Sequence, residues 1–216
     1  MPLTARPRPP PFDPRAASRA LGRADPELAA LIGRIGPCRM QLMPSAAPFP
    51  TLLRSIVFQQ LSGKAARTIH GRVLEALDGP LSPAALRAVA VRKLRRAGLS
   101  RAKCAALRDL AAKVEDGTVP GARALARLDD EAIIERLCEV RGVGRWTAEM
   151  YLMFSLGRPD VLSLGDLGLQ KGFRKAFGMT RLPAARTFER RAERWRPWRT
   201  VACWYLWRAA DDSDAW

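Results

Sequence analysis

The sequence predicts an all-α protein, and three observations lead to that fold class. Apolar residues recur at helical spacing along nearly the whole chain, glycine and proline interrupt this pattern repeatedly, and no series of alternating polar and apolar residues marks a set of strands. Residues 38–43 are the one stretch that fits a short extended segment. We therefore expect helices joined by short turns.

The bounds of the helices follow from the breakers between them. Gly36-Pro37, Asp78-Gly79-Pro80, Gly98, Gly117 and Pro120-Gly121 divide the apolar pattern into separate helical segments, because neither residue type continues a helix well. The predicted helices span residues 14–21, 26–35, 48–60, 62–78, 82–89, 91–96, 100–116, 121–126, 129–139, 145–157, 166–177, 184–193 and 197–210.

The N-terminal segment, residues 1–13, is predicted to be a disordered basic arm. It is rich in proline and contains two arginines, and its apolar content is too low for a core. It lacks the apolar stretch of a secretory signal, and no run in the chain is apolar enough to span a bilayer. We expect a cytoplasmic, nucleoid-associated protein that does not contact membranes.

Composition favours a polyanionic partner. The chain has 216 residues, a formal net charge of +16, a hydrophobic content of 48% and a sequence pI of about 11.1. Such a balance is typical of nucleic-acid binding, although it also serves solubility alone. The cysteines at 38, 104, 138 and 203 form no C-x-x-C pair, and the chain contains one histidine, so no metal site is expected.

A helix, a glycine hairpin and a second helix form the most informative motif. Residues 129–139 carry one apolar helical stripe, Gly142 and Gly144 then break the helix, and a second helix starts near Arg145. The first turn of that helix has free N–H groups that suit a phosphate, and Arg145 and Thr147 can add charge and a hydroxyl. A plain corner between two helices is the alternative.

Asp166 follows Gly144 by 22 residues and starts the next predicted helix. An aspartate there is commonly an N-cap, and that role is compatible with a chemical one. In a chemical role, an ionised carboxylate stabilises positive charge that develops beside it and can deprotonate a water.

A third segment, residues 55–66, joins two predicted helices through a turn that contains Gln59, Gln60 and Leu61. Ser62 is expected to cap the following helix, and Lys64 adds charge to its first turn. For Gln59, an amide that holds two helix ends together is an equally good interpretation.

The string Val-Arg-Gly-Val-Gly-Arg-Trp-Thr-Ala at 140–148 resembles the helix–hairpin–helix of the base-excision DNA glycosylase superfamily, with Val140-Arg141 in place of the usual leucine-proline pair. The resemblance covers roughly residues 45–210. It implies that Asp166 is the catalytic aspartate and that a side chain from the Gln-Gln turn fills the hole left by a flipped base. Gln60 is the first choice for this wedge, and Leu61 is the second.

Within that superfamily the chain resembles the DNA-3-methyladenine glycosylase II type. Members that also nick the strand have a lysine at the position of Trp146, and a tryptophan cannot form their Schiff base. The resemblance implies that Trp146 and Trp207 stack on the damaged base, with Met150 and Tyr151 shaping the pocket. It also implies a compact form without the N-terminal β domain of larger relatives.

The resemblance further implies two helical lobes with a central cleft. We expect the first lobe at about 14–61 and 158–216 and the second at about 62–157, so that residues 14–216 form one helical glycosylase domain. The expected partner is double-stranded DNA with damaged bases, bound by a monomer. No cofactor is expected, although a monovalent cation at the hairpin carbonyls stays open.

These features predict a monofunctional DNA glycosylase that flips out and hydrolytically excises alkylated bases such as 3-methyladenine, leaving an abasic site. Two alternatives remain at this stage. One is a non-enzymatic helix–hairpin–helix module that binds DNA without Asp166 or the pocket tryptophans. The other is a glycosylase for mismatched or oxidised bases.

Overall fold

A computed structural model describes residues 6–210, and within this range the chain forms thirteen α-helices. A π-helical segment Leu152–Leu156 and a 3₁₀ turn Glu193–Trp195 extend α10 and α12. The helices are α1 Pro14–Ala24, α2 Pro26–Ile35, α3 Pro48–Phe58, α4 Gly63–Glu75, α5 Pro83–Ala88, α6 Val91–Arg96, α7 Arg101–Glu115, α8 Ala122–Leu125, α9 Asp130–Cys138, α10 Arg145–Tyr151, α11 Leu167–Ala176, α12 Ala185–Ala192 and α13 Arg199–Ala210.

The all-α prediction is confirmed, and each predicted helix has a counterpart in the structure. Between residues 6 and 210 the only β-type pairing is an isolated antiparallel bridge between Arg8 and Leu42, which agrees with the extended segment expected at 38–43. In the same range, no helix combines the length and the apolar character needed to cross a membrane.

The chain divides into two compact units. Of the described residues, Arg6 and residues 44–151 form the central unit, and residues 7–43 together with 152–210 form the terminal unit. The sequence predicts that residues 44–61 belong with the chain ends, whereas α3 packs against α4, α7 and α10 of the central unit. The reason is the apolar stripe of α3, whose Leu52, Leu53 and Ile56 are fully buried.

The N-terminal segment is ordered from Arg8 onward, so the prediction of a disordered arm is wrong for residues 8–13. The Arg8 guanidinium donates to the carbonyls of Met43 at 2.9 Å and Ser155 at 2.7 Å. Phe12 packs against Trp198, with ring centroids 5.6 Å apart. These partners are far away in sequence, so composition alone did not reveal them. Residues 1–5 lie outside the described residues.

Asp25 connects the two ends of the chain within the terminal unit. Its buried carboxylate caps α2 through the Leu28 N–H and accepts hydrogen bonds from Arg191 at 2.7 and 2.8 Å and from Trp195 at 3.0 Å. Burial raises the pKa of Asp25, but the bonds from Arg191 and Trp195 outweigh it and leave the pKa below its ordinary value. The carboxylate is therefore ionised and paired at neutral pH.

Helix α11 lies close along α13, and this contact positions the start of α11. A Cβ atom built on Gly172 would lie 1.8 Å from the carbonyl oxygen of Leu206, so only glycine allows this approach. Phe173, the next residue, is buried against Phe188 with ring centroids 4.4 Å apart.

Candidate functional site

The hairpin between α9 and α10 has the local structure that its sequence predicts. Asp129 caps α9 by accepting the Ala132 N–H at 2.8 Å, and Ile133, Ile134 and Leu137 form the buried stripe. The backbone then turns at Gly142, whose φ of +79° lies in the left-handed region. The Val143 N–H donates to the Val140 carbonyl at 2.9 Å and closes the turn.

The two hairpin glycines have different surroundings. A Cβ on Gly142 would lie 3.4 Å from the Cβ of Ala106, so this residue rests on α7. A Cβ on Gly144 would meet no protein atom within 4 Å, and Gly144 does not have a left-handed φ. The protein itself therefore has no steric need for glycine at Gly144.

Arg145 and Thr147 are less available for DNA than the sequence suggested. Arg145 donates to both carboxylate oxygens of Glu131, at 2.6 and 2.8 Å, and to Glu149 at 3.1 Å. Hydrogen bonds to Glu131 raise the pKa of the Arg145 guanidinium, which is thus charged but already paired. Thr147 is only 5% exposed, which leaves it little surface for a phosphate.

The Gln-Gln turn after α3 presents its second glutamine to solvent. The Gln59 side chain donates to the Gly142 carbonyl at 2.9 Å, so Gln59 takes the alternative role of linking two elements. Gln60 is exposed and has a φ of +56°, which makes it the one non-glycine residue between 6 and 210 with a positive φ. A strained, exposed residue of this kind is a candidate functional position.

Residues after the turn agree with the capping prediction. Ser62 is the N-cap of α4 and accepts the Ala65 N–H at 3.4 Å, and Lys64 is exposed in the first turn. Leu61, the alternative wedge, is 38% exposed. The structure brings Gln60, Leu61, Ser62 and Lys64 together with the hairpin, since Gln59 joins the two elements directly.

Asp166 lies in the terminal unit at the start of α11. It is 9% exposed, and its Oδ1 accepts the Leu169 N–H at 2.7 Å, so the N-cap role is present. The same oxygen accepts the Trp207 indole N–H at 3.1 Å. Two donors therefore fix the direction of the carboxylate, as required of a group that must face a substrate.

Two residues that sequence reasoning missed shape the surroundings of Asp166. A Cβ on Gly168 would lie 3.0 Å from Asp166 Oδ1 and 3.2 Å from Trp207 Cδ1, so glycine leaves space for their hydrogen bond. Phe154, in the π-helical segment, packs on the Trp207 ring with centroids 5.7 Å apart. A π-helical turn often marks a functional site, but the sequence pattern does not distinguish it from α-helix.

The other residues that the sequence predicts for a base pocket belong to α10 of the central unit. Trp146 is 50% exposed and presents a large aromatic surface, and Met150 is half-buried. Tyr151 is 2% exposed, and its hydroxyl donates to the Ala46 carbonyl at 2.6 Å. The pocket role expected of Tyr151 therefore gives way to a packing role inside the central unit.

Between residues 6 and 210, no group of three or more His, Cys, Asp and Glu side chains is arranged to hold a metal ion. Three cysteines, Cys38, Cys104 and Cys203, are buried as small core residues, whereas Cys138 is exposed.

Comparisons with known proteins show the family to which the chain belongs. Residues 53–197 match the model of the HhH-GPD superfamily of base excision DNA repair proteins. DNA-3-methyladenine glycosylase 1 of Schizosaccharomyces pombe is 33% identical over 189 residues, which are 87% of this chain and 82% of that protein.

Two solved structures resemble the chain over most of its length. The DNA-3-methyladenine glycosidase of Bacillus halodurans has a TM-score of 0.83 and 38% identity, with 91% of this chain and 89% of that chain covered. The 3-methyladenine DNA glycosylase Mag1 of Schizosaccharomyces pombe, in complex with abasic DNA, has a TM-score of 0.80 and 32% identity, with 89% and 95% covered.

Proposed function

Because the chain belongs to the HhH-GPD superfamily of base excision DNA repair proteins, we propose that it is a monofunctional DNA glycosylase that excises alkylated bases such as 3-methyladenine and leaves an abasic site. The observation that carries this proposal is the Asp166 carboxylate, directed by the Leu169 and Trp207 N–H groups, in a chain whose similar proteins are named 3-methyladenine glycosylases.

The proposed reaction breaks the bond between C1′ of the sugar and the base nitrogen. The damaged base leaves with the bonding electron pair, and positive charge develops on the sugar. Asp166 stabilises that charge and accepts a proton from the water whose oxygen attacks C1′. An alkylated purine that is already cationic leaves as a neutral base, so this chemistry needs no strong acid.

We propose that Trp146 and Trp207 recognise the electron-poor base by stacking and cation–π attraction, with Met150 shaping the pocket. Trp146 has half its surface exposed, which suits a stacking platform. Its position also carries the monofunctional assignment. Nicking relatives have an amine there, and an indole cannot form a Schiff base with the sugar.

DNA binding is proposed for the hairpin and the Gln-Gln turn. The missing side chain of Gly144 lets a phosphate approach the backbone, and Gly142, Ser62 and Lys64 belong to the same surface. Gln60 is the proposed wedge, since its exposed position and left-handed φ set it apart from its neighbours. The net charge of +16 supports binding to the backbone of DNA.

The remaining proposals concern partners and location. We propose that a monomer acts on chromosomal DNA, which corresponds to a nucleoid-associated place in the cytoplasm. Hydrolysis through Asp166 uses water alone, so no cofactor is proposed for the chemical step. A monovalent cation at the hairpin would share the Gly142 carbonyl with the Gln59 amide, which donates to it at 2.9 Å.

Base release from duplex DNA treated with a methylating agent tests this function. We expect chromatography to show free 3-methyladenine, and strand scission to follow only after hot alkali. Scission without alkali would reveal lyase activity and contradict the monofunctional assignment. Release of uracil or oxidised guanine, with methylated DNA left intact, would overturn the substrate class. Binding to DNA without release of a base from any substrate would favour the alternative of a non-enzymatic DNA-binding module.

A further inference from the structure

One face of α7 contacts both elements that are proposed to hold DNA. Lys103, Ala106 and Asp109 are spaced three residues apart along this helix, so their side chains lie on the same side. Lys103 contacts the Gln-Gln turn, and Ala106 and Asp109 contact the hairpin. Every one of these contacts lies within the central unit.

The Lys103 ammonium holds the end of α3. Its Nζ donates to the carbonyls of Val57 and Gln59, each at 2.7 Å. The last carbonyls of a helix lack partners in their own helix and carry partial negative charge, so a cation there is favourable. Burial lowers the pKa of Lys103, because partial removal from water disfavours the charged ammonium.

The bond to Gln59 lies immediately before the strained residue of the turn. Gln60, with its φ of +56°, follows the carbonyl that Lys103 holds and precedes the Ser62 cap of α4. A non-glycine residue stays in the left-handed region only where the surrounding structure enforces it. The Leu61 N–H closes the turn across Gln60 by donating to the Phe58 carbonyl at 3.3 Å, and Lys103 holds the Gln59 carbonyl that precedes Gln60.

The hairpin is held by the same helix face. Asp109 Oδ2 accepts the backbone N–H of Arg141 at 2.7 Å, and Gly142 rests on the Ala106 methyl group. Gln59 closes the arrangement through its bond to the Gly142 carbonyl. The turn and the hairpin are therefore held near each other by their contacts with α7 and by the direct bond between Gln59 and Gly142.

We propose that Lys103 is a positioning residue for base extrusion, which holds the Gln-Gln turn on α7 so that Gln60 enters the duplex while the hairpin holds the backbone. This inference rests on the proposed glycosylase function. It assigns to a half-buried lysine that touches no substrate the task of fixing the wedge conformation.

The test uses a duplex with a tetrahydrofuran abasic-site analogue flanked by 2-aminopurine, whose fluorescence rises when a wedge unstacks it. Lys103→Met keeps the length of the side chain and removes the ammonium. Lys113→Met is the matched control, because Lys113 lies on the same helix and its ion pair, at 3.5 Å, is with Glu139 at the end of α9 and not with the Gln-Gln turn. Thermal unfolding and binding to undamaged duplex are measured for both variants.

We expect Lys103→Met to reduce the fluorescence rise at saturating protein by about fivefold or more, while Lys113→Met matches the wild type. Lys103→Arg should restore at least part of the rise, because a guanidinium also donates to two carbonyls. In a Gln60→Ala background, the loss caused by Lys103→Met should shrink to less than about twofold, since both changes act on one wedge.

Equal fluorescence for Lys103→Met and Lys113→Met would overturn the proposal, as would a loss that persists in full in the Gln60→Ala background. A Lys103→Met protein that does not fold is replaced by Lys103→Gln, whose shorter and uncharged amide cannot hold both carbonyls. That variant must then change the fluorescence rise without changing binding to undamaged duplex, and an unchanged rise counts against the proposal. This readout needs no base release, so its failure is distinct from failure of the glycosylase function.

Discussion

In α11 of the terminal unit, the lack of a side chain at two glycines lets other protein atoms approach closely. At Gly144 in the hairpin of the central unit, no protein atom occupies the space that a side chain would take. A Cβ atom built on Gly168 would lie 3.0 Å from Asp166 Oδ1. A Cβ atom built on Gly172 would lie 1.8 Å from the Leu206 carbonyl oxygen. A Cβ atom built on Gly144 would have no protein atom within 4 Å. The absence of a side chain at Gly144 leaves the backbone of the hairpin accessible.

The two regions also differ in whether their polar groups are buried or exposed. Asp166 is 9% exposed and receives two N–H donors within the terminal unit. The hairpin and the Gln-Gln turn instead expose backbone and polar side chains. Both are hydrogen-bonded to side chains of α7. One region is preorganised by close packing around a carboxylate, and the other by a helix that supports an exposed edge.

The largest effect is expected at Gly172. Gly172→Ala should destabilise the protein by about 3 kcal/mol or more, because the new methyl group overlaps the Leu206 carbonyl and the backbones of α11 and α13 must separate. Urea unfolding measures the change. Gly33→Ala, in α2 of the same unit and open to solvent, is the control and should be neutral or slightly stabilising. Equal stability of the two variants would contradict the close approach.

Gly168→Ala should affect the rate and leave stability nearly unchanged. The methyl group displaces the Trp207 indole from Asp166, and we expect the single-turnover rate of base release to fall about 10- to 100-fold. DNA affinity should stay within about twofold of the wild type. An unchanged rate would show that the Trp207 hydrogen bond does not position the carboxylate.

The smallest of these effects is expected at Gly144. Gly144→Ala should weaken duplex binding about tenfold, about 1.4 kcal/mol, because a methyl group then stands where a phosphate approaches. Stability should be unchanged or higher by up to about 1 kcal/mol. Gly121→Ala, at another open glycine with a negative φ in the central unit, is the control for binding. A wild-type affinity of Gly144→Ala for duplex DNA would show that the hairpin is not part of the DNA-binding surface.

Local features of this protein could be predicted from its sequence. The helices follow from apolar periodicity and breakers, and the caps at Asp129, Ser62 and Asp166 follow from the preference of short polar side chains for the first turn. The family also follows from sequence, because its hairpin motif is contiguous at 140–148.

Features that depend on approach between distant residues could not be predicted. Lys103 meets carbonyls 44 and 46 residues earlier, Gly168 meets Trp207, and Arg8 meets Leu42, and no periodicity encodes such pairs. The same limit explains Tyr151, which follows Met150 in sequence but is directed into the core of the central unit. Adjacent residues on a helix point in different directions, so contiguity did not indicate a shared pocket.

The central claim is that the Asp166 carboxylate performs the chemistry, and Asp166→Asn tests it most directly. Asparagine is as good an N-cap as aspartate, so the start of α11 should be retained. In single-turnover release of 3-methyladenine from methylated duplex DNA, we expect a fall of about 10²- to 10⁴-fold, with DNA binding and thermal unfolding at wild-type levels. A variant that releases the base at the wild-type rate would contradict the account.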